Sequence, residues 1–507
     1  MKICLNLKVL LFSLLLIMFA TGNVFASGNS ITFLAAENVT GSWDPSSHTN
    51  NAQERVDKWI GDTLLTVDAD NNLMPKLATS WENIDDYTWE LKLRKGVKFH
   101  NGKEMTAHDV KATIEYYTRP EAATNGFYPE QIFGEVVDDY TIRLSTRNVK
   151  AGSLLYTLVG FSVIVPAEDV NNPEVWDKRL VGTGAWIFDR YEKDTIYTKA
   201  NKDYWGGAPK VDQFIWKYVP DADSRLVALL TGEADIIDRV ETEQVPIIEQ
   251  SPNAEIHKTL LVEHIWLHFR NNKFPFKDNP ELRKAIAYGI DRKGIFEHIM
   301  QGSGAVPTGF ISPKQFGGLG ESPYNFSYDP ERAKELLAEA GYPNGEGLPT
   351  LEWIIPVGFY PKTVEYGEYI TQTLKNIGVN VQLNPMETAS WGERLYTPEV
   401  GDMILCGWGP GSPEPNCVLS QMFHSIGRIN AIQDPDIDEV IDKATAILDV
   451  EERAKYLHEE VNRVLLDKMP SVPIVLSEMI TGVNSNLKGW KISHVQVFDL
   501  HEAYFEK

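Results

Sequence analysis

The chain has 507 residues, of which 43% are hydrophobic and 11% aromatic, so it can bury more than one core and is not intrinsically disordered. Its formal net charge of −23 opposes binding to nucleic-acid phosphates, and no basic segment with interleaved aromatic residues offsets that charge. Length, composition and charge therefore favour an acidic globular protein of two or three domains and argue against nucleic-acid binding.

The first 26 residues are predicted to form a secretory signal peptide. Lys2 and Lys8 provide a positive start, residues 9–19 are almost entirely apolar, and cleavage is expected after Ala26. The apolar run is shorter than the roughly 20 residues that a membrane span needs, which makes an uncleaved anchor the weaker alternative. Loss of the two lysines would change the formal charge from −23 to −25. The expected product is a free periplasmic protein.

Cys406 and Cys417 would remain in the mature chain. Secretion permits a disulfide between them, and closing a loop of about a dozen residues would contribute roughly 3 kcal/mol. Two buried free thiols are the alternative. Neither cysteine has a histidine at the spacing of a zinc site.

The first half of the mature chain reads as alternating strands and helices. Residues 31–36 predict the first strand, and apolar positions around Trp59 predict a helix after it. Residues 87–93 alternate apolar and polar side chains, as a half-buried strand does. Thr106, with Asp109 three residues later, predicts the start of a helix. This order is typical of an α/β domain.

The second half is richer in helices and shows no internal repeat or low-complexity linker. A β-hairpin with its turn at Asp138–Asp139 is predicted before this half of the chain. Helices are expected at 331–340, 364–377, 436–448 and 451–466, and strands at 351–356, 379–383 and 471–476. The alternation predicts a second α/β lobe.

Several segments together resemble the family 5 solute-binding proteins, which serve ABC importers of dipeptides, oligopeptides, glutathione and nickel chelates. The segments, which occur in the family's order, are Ser80-Trp81, TWELKLRKGVKFHNG, Thr106-Ala107-His108-Asp109-Val110, PFKDNPELRKAIAYGIDR, YDPERAKELLAEAGYPNG and Gly407-Trp408-Gly409. They extend over nearly the whole mature chain.

The resemblance implies an α/β, bilobal periplasmic-binding-protein fold of the cluster C type, with an extra small domain inserted in the first lobe. Lobe I would be discontinuous and comprise residues 27–65, 181–268 and 482–507. The small domain would be residues 66–180, and lobe II residues 269–481. The lack of a Pro/Gly/Ser-rich linker is consistent with interwoven lobes.

Motifs of catalysis are missing from the sequence. It contains no Gly-x-Ser-x-Gly elbow, Walker A loop, His-Glu-x-x-His or Cys-x-x-Cys motif. The chain is therefore not expected to be an enzyme, and a secreted hydrolase is the alternative from another functional class.

The glycine- and proline-rich loop 406–424 is the most informative candidate for ligand binding. Such a loop can bring backbone amides and Trp408 to a ligand, although a tryptophan is also often a core residue. Peptide-binding relatives usually carry an aspartate shortly after this tryptophan, where it pairs with the α-ammonium of the peptide. Here Ser412 lies in that region and the acid is displaced to Glu414, so either Glu414 takes this role or the ligand is not an ordinary peptide.

Further candidate ligand contacts are inferred from where residues lie relative to the predicted strands, domains and loops. His48, Thr49 and Asn50 follow the first strand, and Tyr128 belongs to the small domain. Trp391 and Arg394 precede the glycine–tryptophan loop, and an arginine can hold a carboxylate through two hydrogen bonds. Three of them have a structural alternative: a surface or hydrogen-bonded histidine for His48, a core aromatic for Tyr128, and an exposed helix arginine for Arg394. A metal contact by His48 or His424 stays open.

The resemblance implies a small-molecule ligand, an inner-membrane ABC permease as partner, a monomer, and no cofactor or metal. A short peptide or a peptide-like solute such as glutathione is the preferred ligand, and a nickel or other metal chelate is the alternative. An opine or sugar-like solute, a chemoreceptor partner and a periplasmic chaperone are further alternatives on the same fold.

Overall fold

The computed structural model describes residues 29–39, 42–318, 320, 327–397, 400–409, 411–429 and 432–506. The predicted signal peptide lies outside the described residues. In the part that is described, no helix combines the length and the apolar character that a bilayer span requires.

The strands, numbered along the described chain, are short in the small sheets and long where they cross the molecule. They are β1 Ser30–Ala35, β2 Leu65–Val67, β3 Leu73–Pro75, β4 Ala78–Asp85, β5 Thr88–Leu93, β6 Phe133–Asp138, β7 Thr141–Ser145, β8 Trp186–Glu192, β9 Thr195–Ala200, β10 Gln213–Tyr218, β11 Ile236–Ile237, β12 Ala254–Phe269, β13 Leu351–Pro356, β14 Val381–Met386, β15 Met403–Trp408, β16 Ser471–Asn484, β17 Leu487–Lys488, β18 Lys491–Ile492, β19 Phe498–Asp499 and β20 Tyr504–Phe505.

The α-helices are concentrated in the second half of the chain. They are α1 Asn51–Ile60, α2 Ala107–Tyr117, α3 Leu154–Gly160, α4 Ala167–Val170, α5 Ala222–Thr231, α6 Val245–Glu249, α7 Pro280–Tyr288, α8 Arg292–Gly294, α9 Pro330–Glu339, α10 Thr363–Lys375, α11 Thr388–Leu395, α12 Asn416–Met422, α13 Pro435–Ala446, α14 Val450–Tyr456 and α15 Asn462–Lys468. Short π-helical segments continue α8 and join α14 to α15.

One ten-stranded sheet runs through the molecule in the order β14-β13-β15-β12-β16-β11-β1-β10-β9-β8. We call the part built around β1 and β8–β11 lobe I, and the part built around β13–β15 lobe II. Both have cores rich in tryptophan: Trp186 and Trp216 are buried in lobe I, and Trp266 and Trp353 in lobe II. The mixed α/β architecture predicted from sequence is confirmed.

Two long strands, β12 and β16, connect the lobes. The first half of β12 pairs with the last part of β16, from Ala254 opposite Asn484 to Leu260 opposite Glu478. The register shifts between Leu260 and His264, after which β12 pairs with the beginning of β16 and with β15. The chain therefore passes between the lobes at residues 261–263 and at Ser477.

A separate four-stranded sheet, in the order β4-β5-β7-β6, forms with α2 and α3 a third unit. Its core contains Leu91, Phe99, Val110 and Leu144. This unit falls within residues 66–180, the range predicted for the small inserted domain. The domain boundaries themselves stay a prediction.

The two cysteines of the described chain are free and buried, which corresponds to the second of the two alternatives left open by the sequence. Cys406 belongs to the lobe II core, whereas Cys417 packs in the core of the small unit. Its thiol lies 3.5 Å from the carbonyl oxygen of Phe127.

Candidate functional site

The crossing between the lobes carries a buried carboxylate. Glu263 is the last of the three residues at the register shift of β12, and only 5% of its surface is exposed. Ser477, at the crossing point of β16, lies close to Glu263 and lowers its pKa. Burial raises the pKa of Glu263 above its ordinary value, and nearby Arg239 offsets this only in part.

The loop at the end of β15 lies directly against this carboxylate. A Cβ atom added to Gly409 would come within 2.6 Å of the Cβ of Glu263, and one added to Gly407 within 2.8 Å of the Tyr360 ring. The Tyr360 hydroxyl accepts a hydrogen bond from the Gly407 amide at 2.8 Å. Between the glycines, partly buried Trp408 packs against both the lobe II core and the small-unit core. Bare backbone is thus required on both sides of Trp408.

Lobe I contributes two arginines and two acids to the same region. Arg55 joins Glu37 at 3.2 Å and Asp238 at 3.0 Å, and Arg239 meets the other oxygen of Glu37 at 2.5 Å. Burial raises the pKa of Glu37, but Arg239 and Arg55 outweigh it and hold that pKa below its ordinary value. Arg239 itself has a positive φ of 47°, an uncommon backbone conformation that is frequent at binding sites.

Helix α1 makes a second polar contact between the lobes. The Nζ atom of Lys58 donates to the carbonyl oxygen of Gly411 at 2.5 Å, and Glu54 lies beside both groups. Burial raises the pKa of Glu54 to about 7 and lowers that of Lys58 to about 8. The hydroxyl of Ser412 donates to the carbonyl oxygen of Tyr156 in the small unit at 3.1 Å. Loop 411–414 therefore touches lobe I and the small unit together.

The predicted residues near α1 are partly engaged within the protein. His48 is buried and lies 3.1 Å from Asp57. Burial lowers the pKa of His48, but Asp57, Glu54 and Asp44 together raise it above its ordinary value. Asn50 caps α1 by accepting from the Gln53 amide at 3.1 Å, and Thr49, beside it, is partly exposed.

Two of the predicted aromatic residues, Tyr128 and Trp391, are buried with their polar atoms hydrogen-bonded. The Tyr128 hydroxyl donates to the Phe161 carbonyl oxygen at 2.8 Å, and the Trp391 ring nitrogen donates to that of Leu405 at 2.8 Å. Arg394 has an exposed side chain on α11, and its carbonyl oxygen accepts from Arg270. These placements correspond to the structural alternatives stated for Tyr128 and Arg394.

Glu414 is fully buried and occupied by Arg453, whose guanidinium donates at 2.9 and 2.5 Å to its two oxygens. The carboxylate beside the glycine–tryptophan loop is instead Glu263. Sequence reasoning missed it together with Glu37, Arg239 and Tyr360. A signal was present, since Glu263 is the one acid among residues 260–267, which are apolar except for Glu263 and His264.

A cavity of about 650 Å³ lies on the other side of loop 411–413. Lys58 and Asp62 of lobe I, Lys314 of lobe II and the C-terminal segment around Phe498 border it, and Trp408 does not. Among the described residues, no group of three or more histidines, cysteines or acids is placed to hold a metal ion.

Comparison with known proteins places these features in context. The family model described as bacterial extracellular solute-binding proteins, family 5 Middle, matches residues 72–429. The chain is 30% identical over 454 residues to heme-binding protein A of Haemophilus influenzae, covering 83% of this chain and 82% of that protein. It is 26% identical over 483 residues to the glutathione-binding protein GsiB of Shigella flexneri, covering 91% of each.

Among solved structures, the ABC transporter-associated periplasmic binding protein DppA from Helicobacter pylori, in complex with the peptide STSA, superposes with a TM-score of 0.78 at 26% identity. The superposition covers 95% of this chain and 98% of that one. The likeness therefore includes both lobes and the small unit.

Proposed function

Because the chain belongs to the bacterial extracellular solute-binding proteins of family 5, we propose that it captures a short peptide or a peptide-like solute such as glutathione in the periplasm and delivers it to an ABC permease. The names of GsiB and of the peptide complex of DppA support this solute class. The first 26 residues would direct secretion and be removed after Ala26, and the mature protein would act as a monomer.

The observation that carries the proposal is the position of the polar cluster at the crossing strands. Glu263 lies at the register shift of β12, within reach of the Gly407–Gly409 loop of lobe II and of Arg239 of lobe I. A solute bound there touches both lobes, so its binding energy favours the closed arrangement. Because the cluster is buried where the lobes meet, entry requires rotation about β12 and β16.

The chemistry of the cluster suits a zwitterion. Carboxylates and an arginine provide both signs of charge, and Trp408 and Tyr360 provide apolar surface. A few placed polar groups in a mostly apolar, desolvated site are what small-molecule binding requires.

The test is mass spectrometry of whatever solute is released when the freshly purified protein is denatured. Titration calorimetry with glutathione, di- and tripeptides, free amino acids and sugars follows. We expect a peptide or glutathione to co-purify or to bind with a dissociation constant well below about 1 mM. A protein that binds only sugars or opines contradicts the peptide proposal.

The second candidate solute is a metal chelate. It is favoured by the 30% identity to a protein named heme-binding protein A. Metal analysis and an absorption spectrum of the same preparation separate the two candidates, because a bound porphyrin or nickel complex absorbs visible light and a peptide does not. The protein would hold such a chelate through its organic part.

Reversible capture without turnover is also part of the proposal. Incubation with peptides and glutathione is expected to return them unchanged, whereas time-dependent cleavage products would indicate a secreted hydrolase.

A further inference from the structure

The cavity of about 650 Å³ behind loop 411–413 is separate from the polar cluster at the crossing strands. Glu263, Arg239, Tyr360 and Trp408 do not border it. Its walls come from helix α1, the β2–β3 hairpin, the C-terminal segment and two parts of lobe II. Its volume lies within the range of about 300–1,000 Å³ that is usual for small-molecule sites. The cavity therefore has the size of a ligand site, and the capture of a solute in the cleft does not use it.

Lysines line this cavity, although the chain as a whole is strongly acidic. The sequence has 48 lysines and arginines against 71 aspartates and glutamates. At the cavity the balance is reversed, because Lys58, Lys76, Lys314 and Lys491 border it together with three acids and two histidines. Cationic groups gathered around a concave wall favour the entry of an anion.

The three acids of the cavity are already engaged by groups of the protein. Asp62 pairs with Lys76 at 3.1 Å. Asp68 accepts hydrogen bonds from two backbone amides of the β2–β3 turn, each at 2.9 Å. Asp499 pairs with His501 at 2.7 Å. These acids therefore do not neutralise the other lysines of the wall.

Two of the lysines lack an anionic partner. Within the described chain, neither Lys314 nor Lys491 forms an ion pair. Lys491 lies opposite Asp499 in the β18–β19 pair, but that carboxylate is engaged by His501. The carbonyl oxygen of Lys314 accepts a hydrogen bond from the Asn71 side chain at 3.3 Å, which holds this part of lobe II against the β2–β3 hairpin. Two ammonium groups from distant parts of the chain thus border one cavity without a counter-charge.

The rest of the wall includes apolar and aromatic side chains. Val67, Trp205 and Ile492 border the cavity and are only partly buried. Trp59 and Phe498 border it as well, and the Trp59 ring nitrogen donates to the Phe498 carbonyl oxygen at 2.6 Å. Aromatic side chains in fixed positions offer a flat apolar surface on which another ring can pack.

We propose that this cavity is a second binding site, separate from that of the transported solute, for an organic anion with an aromatic body, in the first place an aryl carboxylate. Its carboxylate pairs with Lys314 and Lys491, and its ring packs against Trp205 and Ile492. A peptide zwitterion is a poorer match, because the acids of the wall are engaged and leave its ammonium unpaired. This site goes beyond the proposed function and does not depend on it.

The probe for this site is 1-naphthaleneacetate, and its uncharged amide is the matched ligand. Titration calorimetry uses the full mature protein in its solute-free form. We expect the acid to bind with a dissociation constant below about 1 mM and the amide to bind at least about tenfold more weakly, since only the acid forms charge-assisted contacts. Gly409→Ala, which changes the crossing cluster and not the cavity, should bind the acid like the wild type.

Lys314→Gln and Lys491→Gln test the two ammonium groups. Each substitution is expected to weaken binding of the acid about tenfold and to leave binding of the amide unchanged. Because neither lysine has an ion-pair partner in the described chain, both variants should melt at the temperature of the wild type. Lys258→Gln is the control, since Lys258 is an exposed lysine of β12 that does not border the cavity, and it should bind both ligands normally.

The outcomes separate this site from the proposed function. Equal affinity for the acid and the amide, or unchanged affinity for the acid in both lysine variants, refutes the anion site. Loss of the acid from Gly409→Ala places the anion in the cleft and also refutes it. A protein that binds peptides but not the probe keeps the proposed function alone. One that binds the probe through its lysines but binds no peptide keeps this site and overturns the peptide proposal.

Discussion

Glu414 and Arg453 join loop 411–414 to α14 as an enclosed ion pair. Both side chains are at most 1% exposed, and the guanidinium donates to both carboxylate oxygens. The Asn416 amide adds a further hydrogen bond to Glu414 at 2.9 Å. Such an arrangement contributes to the structure of the loop and leaves the carboxylate no free oxygen for a solute.

Glu414→Gln is therefore expected to act on stability. The substitution leaves the Arg453 charge buried without its partner, which costs about 3–5 kcal/mol in comparable pairs. The measurement is the urea midpoint of solute-free protein. Glu460→Gln, which breaks the exposed pair with Arg463, is the control and should change the free energy of unfolding by less than about 1 kcal/mol. Loss of solute affinity at unchanged stability would instead support Glu414 as a ligand contact.

Gly409 provides a second prediction about a single position. Its substitution by alanine forces the loop away from Glu263, because the new Cβ would lie 2.6 Å from the Cβ of that residue. We expect Gly409→Ala to weaken solute binding at least about tenfold, as displacements of about 1 Å in a site often do. Gly392→Ala is the control, because Gly392 lies in α11 with no atom within 4 Å of an added Cβ. This variant should bind the solute normally, and its melting temperature should be no lower than that of the wild type.

Helix α1 is unusual for the charges on its buried surface. Glu54, Arg55 and Asp57 are all less than 9% exposed, and Lys58 reaches from the same helix to Gly411. The helix thereby contributes polar groups to the contact between the lobes, in addition to the apolar residues Val56 and Trp59 that it buries in the lobe I core. Its pattern of apolar positions predicted the helix correctly but gave no indication of this role.

The pH dependence of stability should reveal Glu54. Its pKa is raised from 4.5 to about 7, so the folded protein binds more protons than the unfolded chain between these values, and stability is lost as the pH rises through this window. The side chain in the Glu54→Gln variant is neutral at every pH, so it makes no contribution to this pH dependence. We expect its stability relative to the wild type to increase from pH 5 to pH 7.5, by at most about 3 kcal/mol. Urea midpoints at several pH values measure this difference, and exposed Glu82→Gln should follow the wild type. A difference that is independent of pH contradicts the assignment.

Local signals in the sequence identified most elements. Thr106 and Asp109 begin α2 as predicted, with the Thr106 amide donating to Asp109 at 2.9 Å. The predicted strand 471–476 is in fact the first half of β16, which continues to Asn484 because residues 478–484 pair with lobe I. The predicted helix 451–466 contains a π-helical segment at residues 457–461. Long-range pairing and helix irregularity have no short-range signature.

The candidate site was less accessible to sequence reasoning than the fold. Trp408 was predicted as a ligand contact because glycines flank it, and these glycines meet Glu263 and Tyr360 in the structure. Glu263 and Arg239 were missed since they are distant in sequence from the loop and meet it only through the crossing of β12. The acid next to the loop is Glu263 and not Glu414, because Arg453 pairs with Glu414. The position of Arg453 in the fold cannot be inferred from composition.

The molecule as a whole is two lobes connected by a continuous sheet. Closure must bend β12 and β16 where their register shifts, since each strand is paired on both sides of that point. The lobes also meet away from the crossing, where Lys362 of lobe II contacts Glu243 of lobe I at 2.5 Å. This exposed pair is worth little by itself, so solute contacts must supply most of the energy of closure.

Spin labels near this outer contact are expected to report closure. Glu249→Cys on α6 and Glu365→Cys on α10 place exposed labels on opposite lobes, and the native Cys406 and Cys417 are buried, so the new thiols react selectively. Saturating solute should shorten and narrow the distance distribution measured by double electron–electron resonance. The control pair is Glu249→Cys with Lys258→Cys, both in lobe I. The distance between its two labels should be the same with and without solute. If the distance between lobes is the same with and without a bound solute, capture occurs without closure, and rotation about β12 and β16 is not the mechanism of this protein.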